Sequence, residues 1–189
     1  RTDLQQTVIK VKDRGALASV LKVGLKSVAE GTSISYINPD YIFNAYLRNE
    51  YPTHASALNK VSADVVSALS PLGKENKPFG GSISIAKLRK YQYKPTMPYF
   101  SDPVTLKTFS SFEDGVKTIE KNLQAKKGGS KLVYQLKFSS NKVAVFGVGL
   151  LDTKEGEPAF LPVIGEDHLA ALPYEIILQD KVATMLHGR

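Results

Sequence analysis

The densest apolar pattern in the chain lies at Lys131–Leu151, KLVYQLKFSSNKVAVFGVGLL, and predicts two strands joined at Ser139–Lys142. In the first, Leu132, Tyr134, Leu136 and Phe138 alternate with Val133, Gln135 and Lys137, giving one apolar and one mixed face. The second is apolar on both sides. Val143, Val145, Gly147, Gly149 and Leu151 share one face, and Ala144, Phe146, Val148 and Leu150 share the other. Such a strand needs cover on both faces, from a central place in a layered domain or from a second subunit. Val143–Leu151 is therefore the expected surface of a homo-oligomer, if the chain forms one. Gly147 and Gly149 leave a flat lane, which a packed helix or a bulge fills more often than a ligand does.

Elsewhere the pattern predicts a short strand at Thr7–Lys12 and a helix over Ala16–Glu30 with Leu17, Val20, Leu21, Leu25 and Val28 as its stripe. Gly31 stands where a left-handed C-terminal residue belongs. Ser33–Ile37 is weakly extended. Asn38-Pro39-Asp40 begins a helix, with Asn as cap and Pro at the first helical position. Another helix runs from Thr53 to near Leu69, ended by Pro71 and Gly73. The loop Gly73–Gly81, GKENKPFGG, carries the strongest breaker signal and marks the one place for an internal boundary. Strands are predicted at Ser82–Tyr93 and Val104–Phe109. A helix then opens at Ser110–Glu113, spaced as a capping box, and presents Phe112, Val116, Ile119 and Leu123 before Gly128-Gly129. Extended segments at Ala159–Ile164 and Tyr174–Leu178 follow the turn Thr153–Pro158. The sum is a single α+β domain over residues 1–189, with a mainly antiparallel sheet and about four helices, helix-rich in its first third.

Composition changes this picture little. With 189 residues, 42% hydrophobic and 23% charged, the chain can bury one substantial core. It has no apolar run long enough to span a bilayer, and its start, RTDLQQTVIK, lacks the apolar centre of a signal peptide. A cytoplasmic or virion-associated protein is expected. The absence of Cys excludes disulfides, thiol catalysis and Cys-based zinc sites. Charge adds more. The net +7 is distributed as +2 over residues 1–73, +5 over 74–107, +4 over 108–142 and −4 over 143–189. A basic middle beside an acidic end bears on partners.

The chemistry candidates begin with Ile85–Lys94, IAKLRKYQYK. Extended, it would place Lys87, Arg89, Tyr91 and Tyr93 on one face and Lys90 and Lys94 on the other. Cations interleaved with aromatic rings suit single-stranded nucleic acid, whose phosphates take the charges while bases stack. Lys74, Lys77 and Phe79 in the preceding loop extend that surface. The same residues also describe an edge strand guarded by charge. The lysines at 117, 121, 126, 127 and 131 read as a solvated helix face and end. His54, His168 and His187 have no metal-ligand spacing. Glu166, Asp167 and His168 read as a polar helix start. Asp40, Asp64 and Asp167 would make a nuclease-like set only if the fold gathered them. No phosphate-binding loop, dinucleotide fingerprint or Gly-x-Ser-x-Gly elbow is present, so no catalytic residue, metal ligand or cofactor is expected. The expected function is non-enzymatic binding of single-stranded DNA or RNA. Its alternatives are a viral or phage-type structural subunit and a metal-dependent hydrolase or nuclease.

Overall fold

The computed structural model describes residues 1–12, 14–73, 76–92, 94–100 and 102–186. Its centre is a five-stranded antiparallel sheet ordered β3-β7-β6-β5-β4. The strands are β3 (Val104–Thr108), β4 (Ser130–Phe138), β5 (Val143–Leu150), β6 (Tyr174–Gln179) and β7 (Val182–Met185). A separate hairpin pairs β1 (Val23–Val28) with β2 (Gly31–Tyr36). The helices are α1 (Thr2–Val8), α2 (Pro39–Leu47), α3 (Tyr51–Leu69), α4 (Ile85–Leu88), α5 (Phe112–Gln124) and α6 (Glu157–Ile164). The α+β class expected from the sequence is the class observed.

The strand β5 runs between β4 and β6, buried along Val143–Gly149. Its even-numbered face, Ala144, Phe146 and Val148, meets Phe112, Val116, Ile119 and Leu123 of α5. Its odd-numbered face, Val143 and Val145, meets Ala16 and Leu17 of the 3-10 turn Gly15–Ser19. The cover that the two-sided pattern requires is therefore supplied within one chain, by α5 on one side and the N-terminal region on the other. A third cluster packs α1, α2 and α3 through Leu4, Val8, Phe43, Leu47, Leu58 and Val61.

Several local readings change. Residues 16–30 form no helix: the 3-10 turn ends at Ser19 and the chain enters the β1–β2 hairpin. Beside the helical stripe, Leu21, Val23 and Leu25 alternate with Lys22, Gly24 and Lys26, so the segment carries a strand period too. Gly31, at φ 133°, turns the hairpin where it pairs with Val28, instead of ending a helix. The expected strand at Thr7–Lys12 gives way to α1. The segment Ala159–Ile164 is helical, part of α6, with Pro158 in the first turn, where a missing N–H costs nothing. The Asn38 cap is as expected, its Oδ1 accepting from Asp40 N at 3.0 Å. The cap of α5 falls one residue later than expected, at Ser111, whose Oγ accepts from Asp114 N at 3.1 Å.

The β4 pattern also contains a hidden irregularity. Leu132 pairs with Val148 and Tyr134 with Gly147, so Val133 is an extra residue in β4 and is left 55% exposed. Beyond the bulge the alternation changes sides. Leu132 packs on the α5 face, while Tyr134, Leu136 and Phe138 pack on the opposite one. They do not share the single face that strict alternation predicts.

Candidate functional site

Among its described residues, the candidate strand Ser82–Tyr93 forms no continuous strand. Residues 85–88 form the single-turn helix α4, capped by Ser84, whose Oγ accepts from Lys87 N at 3.4 Å. Buried Leu88 anchors it. Residues two apart on a helical turn point to different sides, so Lys87 and Arg89 do not share a face. Lys74 and Tyr93 lie outside the described residues. Lys77, Lys87, Lys90 and Lys94 are exposed and Tyr91 is half-buried. Arg89 is drawn inward: its Nε and Nη2 donate to Asn44 Oδ1 at 3.1 and 2.8 Å, and its guanidinium lies 5.4 Å from the centre of the Tyr51 ring. It ties the basic segment to α2 and α3.

Tertiary structure instead gathers cations from two parts of the chain. An open groove of about 560 Å³ is lined by Val11, Leu47, Arg48, Asn49, Glu50, Arg89, Lys90 and Tyr99. Arg48 ends α2 at φ 50°, ψ −117°, a conformation non-glycine residues seldom adopt, and turns the chain toward α3. Tyr99 is 46% exposed and held from its backbone, with its N–H donating to Asp102 Oδ2 at 2.9 Å and an isolated bridge to Gln92. The sequence reading missed Arg48 and Tyr99. Arg48 follows an apolar helix and Tyr99 follows Pro98, and neither lies in the basic stretch Ile85–Lys94. Only the fold brings them beside Arg89 and Lys90.

A second cavity, about 300 Å³, opens where the N-terminal region meets the sheet, between Leu17, Lys22, Tyr41, Tyr46, Phe100, Pro173 and Glu175. Its polar floor follows from the glycine lane. A Cβ at Gly147 would overlap the Tyr134 ring, so the missing side chain lets that ring lie across β5. The Tyr134 hydroxyl thereby reaches across from β4 to β6 and donates to Glu175 Oε1. Lys22 Nζ lies 3.6 Å from the same oxygen and donates to the carbonyls of Ala171 and Pro173 at 3.4 and 3.3 Å. The Glu175 side chain is 9% exposed, and burial raises its pKa against the opposing pull of Lys22 and Tyr134. Burial also raises Tyr134 and Tyr46, with the Glu175 charge adding to both. The lane holds the aromatic ring of a neighbouring strand, set there next to a bulge in β4, one of the two fillings expected.

Consecutive residues line the two cavities. Tyr99 lines the groove and Phe100 lines the pocket, where it stacks on Tyr46 at 5.7 Å. Phe100 N donates to Tyr91 O at 2.9 Å, and Tyr91 adds to the rise that burial produces in the pKa of Tyr41 at the pocket.

The scattered carboxylates stay apart in their bonding. Asp40 accepts from Ser62, Asp64 pairs with Arg1 and Lys60, and Asp167 lies 3.8 Å from Lys26. His168 packs edge-on against Phe79, and His187 lies outside the described residues. Among the described residues, no three of His, Cys, Asp and Glu gather as metal ligands would, and no helix is long and apolar enough to cross a membrane. No protein-family model, curated protein or solved structure matches the chain.

Proposed function

We propose that the protein binds single-stranded nucleic acid along the groove formed by Arg48, Arg89, Lys90 and Tyr99, with Lys77, Lys87 and Lys94 extending the basic surface. The observation that carries this reading is the convergence of three cations and an exposed tyrosine on one open groove. Phosphates are drawn by the charges irrespective of sequence, and an exposed ring offers a face on which any base stacks. Arg89 serves partly as scaffold, because its bonds to Asn44 position the groove wall.

The test is fluorescence anisotropy with a labelled single-stranded oligonucleotide between 50 and 200 mM salt, using variants that spare Arg89. Changing Lys87 and Lys90 together to Ser is expected to weaken binding and flatten the salt slope by roughly one unit per lost phosphate contact. Tyr99→Ala is expected to cost about 1–3 kcal/mol through lost stacking. No binding at 50 mM salt, or full binding by the Lys87/Lys90/Tyr99 triple variant, defeats the reading.

A further inference from the structure

We propose that the Glu175 pocket binds a neutral aromatic small molecule the size of two fused rings, carrying one hydrogen-bonding group that meets the Tyr46 hydroxyl. The inference stands apart from the nucleic-acid reading and uses none of the groove's residues. It begins with the charges at the pocket floor. Glu175 accepts from Tyr134 and pairs with Lys22, and Lys22 also donates to the carbonyls of Ala171 and Pro173. The two charges offset each other, and their bonds are made within the chain. An ion entering the pocket would shed its water and meet no unpaired countercharge at that floor, a loss that an uncharged ligand avoids.

The walls decide the class of ligand. Tyr41, Tyr46 and Phe100 line the cavity together with Leu17, Ile42 and Leu186. Aromatic rings gain from stacking or edge contact with another ring beyond the area they bury. Tyr46 and Phe100 lie nearly parallel, 17° apart with centroids at 5.7 Å, so part of the wall is a preformed pair of rings. Phe100 is held from its backbone, its N–H donating to Tyr91 O at 2.9 Å and its carbonyl accepting from Arg14 Nη1 at 3.0 Å. Lys22 holds the carbonyls of Ala171 and Pro173, two further lining residues. Walls fixed in advance leave little to order when a ligand enters. An apolar cavity of about 150 Å³ admits one benzene ring. The space here, about 300 Å³, is twice that and admits two fused rings.

One polar group in the wall is left over. Among the described residues the Tyr46 hydroxyl has no hydrogen-bond partner. Burial and the nearby Glu175 charge push its pKa up, so it keeps its proton. A hydroxyl both donates and accepts, so it can meet an N–H, an O–H or a carbonyl on the ligand. Leaving it bare in an apolar site costs free energy that such a contact recovers.

The experiment uses indole as the probe. The chain has no Trp, so indole fluorescence excited beyond the tyrosine band reports binding to the full chain directly. Saturable binding with blue-shifted emission is expected, and the melting temperature should rise with indole concentration. Indene has the same shape without the N–H and is followed by its displacement of indole. Indole is expected to bind about 2–10-fold tighter than indene, the range of one neutral hydrogen bond. Tyr46→Phe should remove that difference and leave indene unchanged. Indole-3-acetate and tryptamine, which put a negative or a positive charge on the same ring system, should bind more weakly than indole. Val20→Phe, which adds a ring at a lining position, should abolish binding of indole and indene. Its melting curve separates loss of the site from loss of the fold, and the Tyr46→Phe comparison serves if it does not fold. No saturable binding of indole or indene overturns the proposal, as does undiminished binding by folded Val20→Phe. An indole advantage that survives Tyr46→Phe overturns the role of the hydroxyl. Tighter binding of either charged ligand overturns the neutral class.

Discussion

Gly147 is the residue on which the pocket depends. Its side is where the Tyr134 ring passes, and that passage brings the phenol to Glu175. Gly147→Ala is expected to cost about 1–3 kcal/mol in urea unfolding, the usual range for overpacking. In a Tyr134→Ser background the same change should cost markedly less, because the two positions are in contact. Glu175 predicts a pH dependence of definite sign. Burial raises its folded-state pKa above the ordinary 4.5. The folded state therefore holds the proton more tightly, and this contribution to stability is complete below 4.5 and lost as pH rises through the raised value. The melting temperature of the native protein relative to Glu175→Gln should be highest near pH 4 and decline toward neutrality. A difference that grows with pH would contradict the assigned direction. The lane at Gly147 was legible in the residues themselves; what fills it was not, since Tyr134, Gly147 and Glu175 lie on three strands whose register the sequence does not state.

At the scale of elements, helix starts were the most legible feature. Asn38 caps α2 as its sequence predicts, and Ser111 caps α5 one residue beyond the expected box because Ser110 is used differently. Ser110 Oγ donates to Asp114 Oδ2 at 2.8 Å and holds the Asp114 carboxyl below its ordinary range. Ser111→Ala should destabilise the protein by about 0.5–2 kcal/mol in the same unfolding assay. The paired strands of residues 131–151 were also legible, because a run apolar on both faces has few homes other than the middle of a sheet. What failed were the short apolar segments. Residues 16–30 and 159–164 satisfy helical and strand periods together over so few turns that packing partners decide between them. The hairpin won in the first case, where Gly24 lies against Leu169 and Ala170. The strand reading failed at residues 85–88 because alternation of cations and rings does not commit the backbone, and burial of Leu88 accompanies a helical turn there.

For the whole molecule, the layers set both stability and exposure. Because β5 is buried between α5 and the N-terminal region, its amides and those of β6 should exchange hydrogen most slowly. Those of residues 76–92 and 94–100, mostly irregular and at the surface, should exchange fastest in native-state measurements. Slower exchange in 76–92 than in β5 would mean that the basic segment belongs to the stable core. The charge map, +5 over residues 74–107 and −4 over 143–189, is a property of the sequence alone and carries over to the fold unchanged. The α+β class, the central strand and the basic character of the middle third follow from composition or from periodicity sustained over many residues. The groove of Arg48, Arg89, Lys90 and Tyr99 and the pocket over Gly147 exist only once the chain has folded. Their residues come from distant segments, and a single extra residue at Val133 accompanies the change of face that sets Tyr134 over Gly147.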